Sequence, residues 1–128
     1  EQLIDYIRMA VSHGGGITPM KKIAALAELY HVRVATHGPS DISPIALAAA
    51  MHLDMSINNF GIQEYLVLGT QECDDLFPSQ HKMENGFFYV SDEPGLGVDF
   101  DTSEAPQYSY TKGFHPVTRL RDGTMWNY

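Results

Sequence analysis

The chain has 128 residues, of which 44% are hydrophobic, and 16 acidic against 8 basic residues give a net charge of −8. This composition predicts one folded domain and argues against nucleic-acid binding, which needs a basic surface. The single cysteine, Cys73, allows no internal disulfide and predicts a reducing compartment such as the cytoplasm. No apolar run in the sequence approaches the roughly 20 residues that span a bilayer.

The first predicted unit is a strand followed by a helix. Residues 6–11 are an apolar run that predicts a buried strand, and the sequence HGGG ends it. Thr18 and Pro19 predict a helix start, with Thr18 as N-cap and Pro19 at the first helical position. The spacing that follows predicts one apolar helix face, formed by Ile23, Leu26, Ala27 and Tyr30.

Two further strands and a second helix follow at similar spacing. Residues 32–36 and 56–60 are the strand candidates, and Ser43-Pro44 predicts the start of a helix over 45–53. Strands that alternate with helices about every 25 residues predict βαβ units and a parallel sheet. The alanines of the second helix indicate either tight packing or only the high helix propensity of alanine.

The sequence changes character after about residue 69. Residues 70–128 are polar and rich in turn residues, with a short strand candidate at 87–90 and a turn at Asp122-Gly123. We therefore predict two parts, βα units over 1–69 and a loop-rich extension over 70–128.

Polar residues follow each predicted strand, and functional groups of parallel α/β folds gather at the carboxyl ends of the strands. These residues are Ser12, His13, His37, Asp41, Asn58, Asn59, Gln63 and Glu64.

Each of the strongest candidates also has an ordinary structural explanation. His37 is either bonded to backbone or part of a functional rim, Asp41 could cap the second helix, and Glu64 could be a solvated carboxylate. Arg8 lies inside an apolar strand, so it needs an acidic partner, either a protein carboxylate or a substrate carboxylate.

Several other chemistries lack their motifs. The remaining histidines, which show no metal-binding spacing, are interpreted as structural or surface residues: His13, His31, His52, His81 and His115. No P-loop and no G-x-S-x-G sequence occurs, and Cys73 lies in an acidic segment that disfavours a thiolate.

Five sequence segments together resemble the C-terminal part of the D-mannonate dehydratase family, in the mandelate-racemase-like branch of the enolase superfamily. They are LIDYIRMAVSHGGGITPMKKIAALAELYHVR, HGPSDISP, NFGIQEY, PGLGVDFD and LRDGTMWNY. The resemblance implies the C-terminal part of a (β/α)8 barrel, namely strands six to eight, and a C-terminal extension that packs towards a capping domain. A complete barrel takes about 250 residues, so the resemblance implies that this chain is a fragment.

The resemblance also implies a reaction. Such enzymes remove a proton next to the carboxylate of a sugar acid, use Mg²⁺ to stabilise the enediolate, and expel the 3-hydroxyl group. The family positions that contact substrate fall on Arg8, His37, Asp41 and Glu64, with His37 and Asp41 as the catalytic pair; Trp126 is expected in the pocket wall. Glu64 is expected to hydrogen-bond the substrate carboxylate.

The implied partners are the rest of the same polypeptide, a small sugar acid and further copies in a homo-oligomer; nucleic acid and membrane are not expected. The Mg²⁺ ligands and the base would lie upstream, so the fragment alone should be inactive. Pro39 is shared with slower family members, which favours a weak mannonate or gluconate dehydratase. The alternatives are a barrel with a regulatory or structural role, or a racemase of the same branch.

Overall fold

A three-stranded parallel sheet with two crossover helices organises the first half of the chain. The computed structural model describes residues 3–39, 42–66, 73–110, 112 and 118–126. The elements are β1 (Tyr6–Met9), α1 (Ile17–Leu29), β2 (Arg33–Thr36), α2 (Pro44–Met55) and β3 (Phe60–Gln63). The strand order is β1-β2-β3 with both pairs parallel, so the predicted βαβ arrangement is confirmed.

Helix α1 begins earlier than predicted. It starts at Ile17 after Gly16, and no side chain caps it, so the predicted N-cap role of Thr18 is wrong. Gly15 and Gly16 have φ of 86° and 102°, a left-handed conformation that lets the chain turn directly into the helix. Pro19 is tolerated at the third helical position because N–H groups of the first turn have no partner inside the helix.

Only part of the predicted apolar face of α1 is buried. The buried residues of the helix are Met20, Ala24 and Ala27. Three of the four residues of the predicted apolar face are exposed, at 40% for Ile23, 58% for Leu26 and 67% for Tyr30. Helix α2 and the sheet together cover only one stripe of α1, and periodicity alone does not distinguish that stripe from the adjacent apolar residues.

Helix α2 begins where the sequence predicted. The Ser43 side chain accepts a hydrogen bond from the Ala46 N–H at 3.4 Å, and Pro44 is the first helical residue. The alanines at 48–50 are buried, and two of them belong to the core cluster of Val11, Met20, Ala49, Ala50 and Leu53. Their small side chains therefore serve close packing, in addition to helix propensity.

Strand β3 begins four residues later than the predicted strand over 56–60. Asn58 and Asn59 precede it and lie at its amino end, so their predicted place at the carboxyl end is wrong. Asn59 Nδ2 donates to the carbonyls of Ala24 at 3.0 Å and Val32 at 2.9 Å. These bonds hold Asn59 in the turn that leads into the strand.

The described part of 73–126 contains short elements joined by loops. They are β4 (Lys82–Glu84), β5 (Phe87–Tyr89), a 3₁₀ turn (Ala105–Gln107), β6 (Thr118–Arg119) and β7 (Met125–Trp126). Strand β5 was predicted and β4 was not, although Asn85-Gly86 between them is a strong hairpin signal. Asp122-Gly123 lies between β6 and β7, as the predicted turn. Across the described residues, no helix has the length and apolar character needed to cross a membrane.

Candidate functional site

Three of the predicted site residues meet at the carboxyl ends of the three parallel strands. Arg8 is the penultimate strand residue of β1, His37 follows β2 and Glu64 follows β3. Arg8 Nη2 lies 2.8 Å from Glu64 Oε1 and 2.7 Å from Oε2. His37 Nε2 lies 3.4 Å from Glu64 Oε2. Arg8, His37 and Glu64 thus form one cluster, which we call the strand-end cluster, although Arg8 and Glu64 are 56 positions apart in the sequence.

The strand-end cluster has a defined charge pattern. Hydrogen bonds from Arg8 hold the pKa of Glu64 below its usual value, and the Gly38 N–H at 3.2 Å and the neighbouring His37 act in the same direction. Glu64 is therefore an ionised hydrogen-bond acceptor near neutral pH. The Arg8 side chain is 57% exposed, so burial does not force its pairing, and its partner in this structure is a protein carboxylate.

Backbone bonds fix the positions of the cluster residues. The His37 N–H donates to the Met9 carbonyl at 2.7 Å, and the Glu64 N–H donates to the Thr36 carbonyl at 3.0 Å. Gly38 lies against the Glu64 backbone, where an added Cβ would come within 2.0 Å of the Glu64 carbonyl oxygen. Sequence reasoning did not single out Gly38, and its position beside His37 in HGP was the available signal.

The remaining predicted residues are placed only in part. Asp41 lies outside the described residues. Trp126 is in β7, where its backbone pairs with Thr118. Their predicted roles remain predictions.

A buried hydrogen bond lies behind the strand-end cluster. The Thr36 hydroxyl, one residue before His37, donates to the Asp54 carboxylate of α2. Burial raises the pKa of Asp54 to about 7, although the Thr36 bond opposes this shift. Asp54 is the one acidic residue in the apolar sequence of α2, which was a signal that the sequence analysis left unused.

The strand-end cluster coincides neither with a group of metal-ligating side chains nor with an apolar cavity beside β3. Within the ranges that the structure describes, no three His, Cys, Asp or Glu side chains are grouped to hold a metal ion. An apolar cavity of about 540 Å³ lies between α2, β3 and the β4–β5 hairpin, and neither Arg8, His37 nor Glu64 lines it. Within the described residues the cluster thus offers one cation, one carboxylate and one imidazole, a set suited to binding hydroxyl and carboxylate groups and to moving a proton.

Comparisons with known proteins find a matching family, similar sequences and a similar solved structure. Residues 1–105 match the family described as enolase C-terminal domain-like. A D-galactonate dehydratase family member from Oceanicola granulosus is 59% identical over all 128 residues, which are 31% of its length. A D-mannonate dehydratase from Caulobacter sp. is 52% identical over 100% of this chain and 32% of its own.

A solved structure is also similar. The crystal structure of an enolase from Pantoea ananatis with bound D-gluconate and Mg superposes with a TM-score of 0.80 and 47% identity, covering 97% of this chain and 30% of that chain. The chain thus spans about a third of the length of the relatives that it matches.

Proposed function

Because the chain belongs to the enolase C-terminal domain-like family, as its sequence resemblance predicted, we propose that it is the C-terminal part of a sugar-acid dehydratase. The proposal assigns it to a longer polypeptide, called the full-length protein below, with β1, β2 and β3 as barrel strands six to eight. Residues 70–128 are then an extension that packs towards a capping domain. The relatives named as dehydratases and the D-gluconate in the similar structure support this choice of substrate class.

The proposed reaction removes the proton next to the carboxylate of D-mannonate or D-gluconate and expels the 3-hydroxyl group as water. We assign His37 the role of proton carrier at the reacting end of the substrate, with Asp41 orienting it. Arg8 and Glu64 bind substrate, and Trp126 walls the pocket. Glu64, held ionised by Arg8, accepts hydrogen bonds, so a substrate hydroxyl suits it better than a substrate carboxylate unless a proton is shared between the two.

Magnesium would supply Lewis-acid stabilisation of negative charge in such a reaction. The described residues do not fit a magnesium site, since they contain no group of three ligating side chains and Glu64 is already paired with Arg8. We therefore assign the metal ligands to the full-length protein outside 1–128. In this proposal the full-length protein binds a sugar acid, forms a homo-oligomer and acts in the cytoplasm.

The observation that carries the proposal is the convergence of Arg8, His37 and Glu64 at one end of a parallel sheet. The test is His37→Asn in the full-length protein, with His31→Asn as a matched control, because His31 is an exposed histidine in the turn before β2, at the opposite end of the sheet. Loss of a positioned proton carrier should lower kcat/KM for sugar-acid dehydration by about 10²-fold or more, while the control stays within about twofold. Near-normal turnover by a folded His37→Asn protein would refute the assignment.

A further inference from the structure

The side-chain amide of Gln63 joins the two strand ends that carry His37 and Glu64. Gln63 is the last residue of β3, and its Nε2 donates to the Glu64 carbonyl at 2.7 Å and to the Thr36 carbonyl at 3.2 Å. We propose that Gln63 is a positioning residue, whose amide sets the distance between His37 and Glu64 without touching substrate. This inference rests on the proposed function of the strand-end cluster.

The geometry around Gln63 explains why one amide has this influence. Thr36 directly precedes His37, and the Thr36 carbonyl accepts both the Glu64 N–H at 3.0 Å and the Gln63 amide. Beyond this point both strands run into loops. The Leu66 N–H donates to the Gly38 carbonyl at 3.3 Å, which is the one further described backbone bond between these loops. The Gln63 amide therefore makes the last side-chain hydrogen bond between β2 and β3 before the strand-end cluster.

The Gly38 contact makes the arrangement sensitive to small shifts. An added Cβ on Gly38 would lie 3.0 Å from Gln63 Nε2 as well as 2.0 Å from the Glu64 carbonyl oxygen. The amide, Gly38 and the Glu64 backbone thus pack without spare room. Movement of the Glu64 backbone would change the distances from its carboxylate to Arg8, His37 and the Gly38 N–H together.

Asn59 is a chemically matched amide at the opposite end of the same sheet. Its Nδ2 also bridges two backbone carbonyls, and its Oδ1, like Gln63 Oε1, is buried and has no hydrogen-bond partner within the described residues. Removing either amide should therefore weaken the fold by a similar mechanism. Only Gln63 lies beside the strand-end cluster.

The experiment compares Gln63→Met with Asn59→Leu in the full-length protein. Methionine keeps the length of glutamine and removes both donors. We expect both variants to melt at a lower temperature, but only Gln63→Met to lower kcat/KM for sugar-acid dehydration, by about 10-fold or more, because small misplacements of a reacting geometry are costly. The acidic limb of its pH–rate profile should also move to higher pH, as Glu64 loses the contacts from Arg8, His37 and Gly38 that keep it ionised.

A readout independent of turnover separates this inference from the proposed function. The ring resonances of His37, assigned by their loss in His37→Asn, should shift in Gln63→Met and stay in place in Asn59→Leu. If no sugar acid is dehydrated by the parent protein, the resonance shift still supports the positioning role. The inference would be overturned if Gln63→Met left the His37 resonances unchanged and, wherever turnover is measurable, left the acidic limb of the pH–rate profile unchanged. Gln63 would then only stabilise the fold.

Discussion

Asp54 should make the stability of the fold depend on pH in the direction opposite to that of most carboxylates. Its pKa is raised from 3.8 to about 7 because the residue is buried, at 8% exposure, and the hydrogen bond from Thr36 only partly opposes this shift. Between these values the folded state binds a proton that the unfolded state has released. The stability contribution is therefore fully present below about pH 4 and is lost as the pH rises to about 7.

The size of the effect follows from the same values. Each pH unit over which only the folded state is protonated corresponds to about 1.4 kcal/mol, so the full window amounts to about 4 kcal/mol. Between about pH 5 and pH 8 the expected loss is about 3 kcal/mol, since part of the window lies below pH 5. Asp54→Asn, which cannot ionise, should lack this component.

Urea unfolding of the full-length protein at both pH values measures the effect. The difference in unfolding free energy between the parent protein and Asp54→Asn should change by about 3 kcal/mol from pH 5 to pH 8, because all other titrating groups cancel. Asp92→Asn, which alters an exposed carboxylate, is the control and should show no such change. A pH-independent difference for Asp54→Asn would show that Asp54 is ionised throughout, and the reasoning from burial would be wrong.

Three further predictions concern the site and the fragment. Gly38→Ala should lower kcat/KM for dehydration by about 10-fold or more and the free energy of unfolding by about 1–3 kcal/mol, because the new Cβ would lie 2.0 Å from the Glu64 carbonyl oxygen. Steady-state kinetics and urea unfolding measure the two effects, and full activity of the variant would contradict the prediction. Calorimetry should show Mg²⁺ binding to the full-length protein only, and tight stoichiometric binding by residues 1–128 alone would move the metal site into this segment. Residues 1–128 alone should associate through β1 and β3, which are the edge strands of the sheet among the described residues, whereas a monomer with a sharp thermal transition would argue against a barrel fragment.

The elements that local sequence signals specify were predicted well. Helix α2 begins at Ser43-Pro44 because its N-cap bond and its proline are local features, and the parallel order follows from the recurrence of strands and helices. The start of β3 was misplaced because hydrogen bonds from Asn59 to Ala24 and Val32, distant in sequence, decide it.

Contacts between distant residues were beyond what the pattern of residues could specify. The pairing of Arg8 with Glu64 joins two strands that are not neighbours in the sheet, so no strand register predicts it. Which part of the apolar face of α1 is buried depends on the elements that pack against the helix, and the spacing of apolar residues carries no information about those elements. His37 and Glu64 do follow strands, as predicted, because position in a parallel sheet is readable from the sequence, whereas Asn58 and Asn59 were assigned to the wrong end of β3.

The most direct test of the central claim is dehydration of sugar acids by the full-length protein in the presence of Mg²⁺. D-mannonate and D-gluconate are incubated with it, and product is followed by mass spectrometry and by NMR in deuterated water. We predict loss of one water to give a 2-keto-3-deoxy sugar acid, slowly, and only with His37 intact. Exchange or inversion at the carbon next to the carboxylate without loss of water would identify a racemase instead, and no reaction with any sugar acid tested would contradict the account.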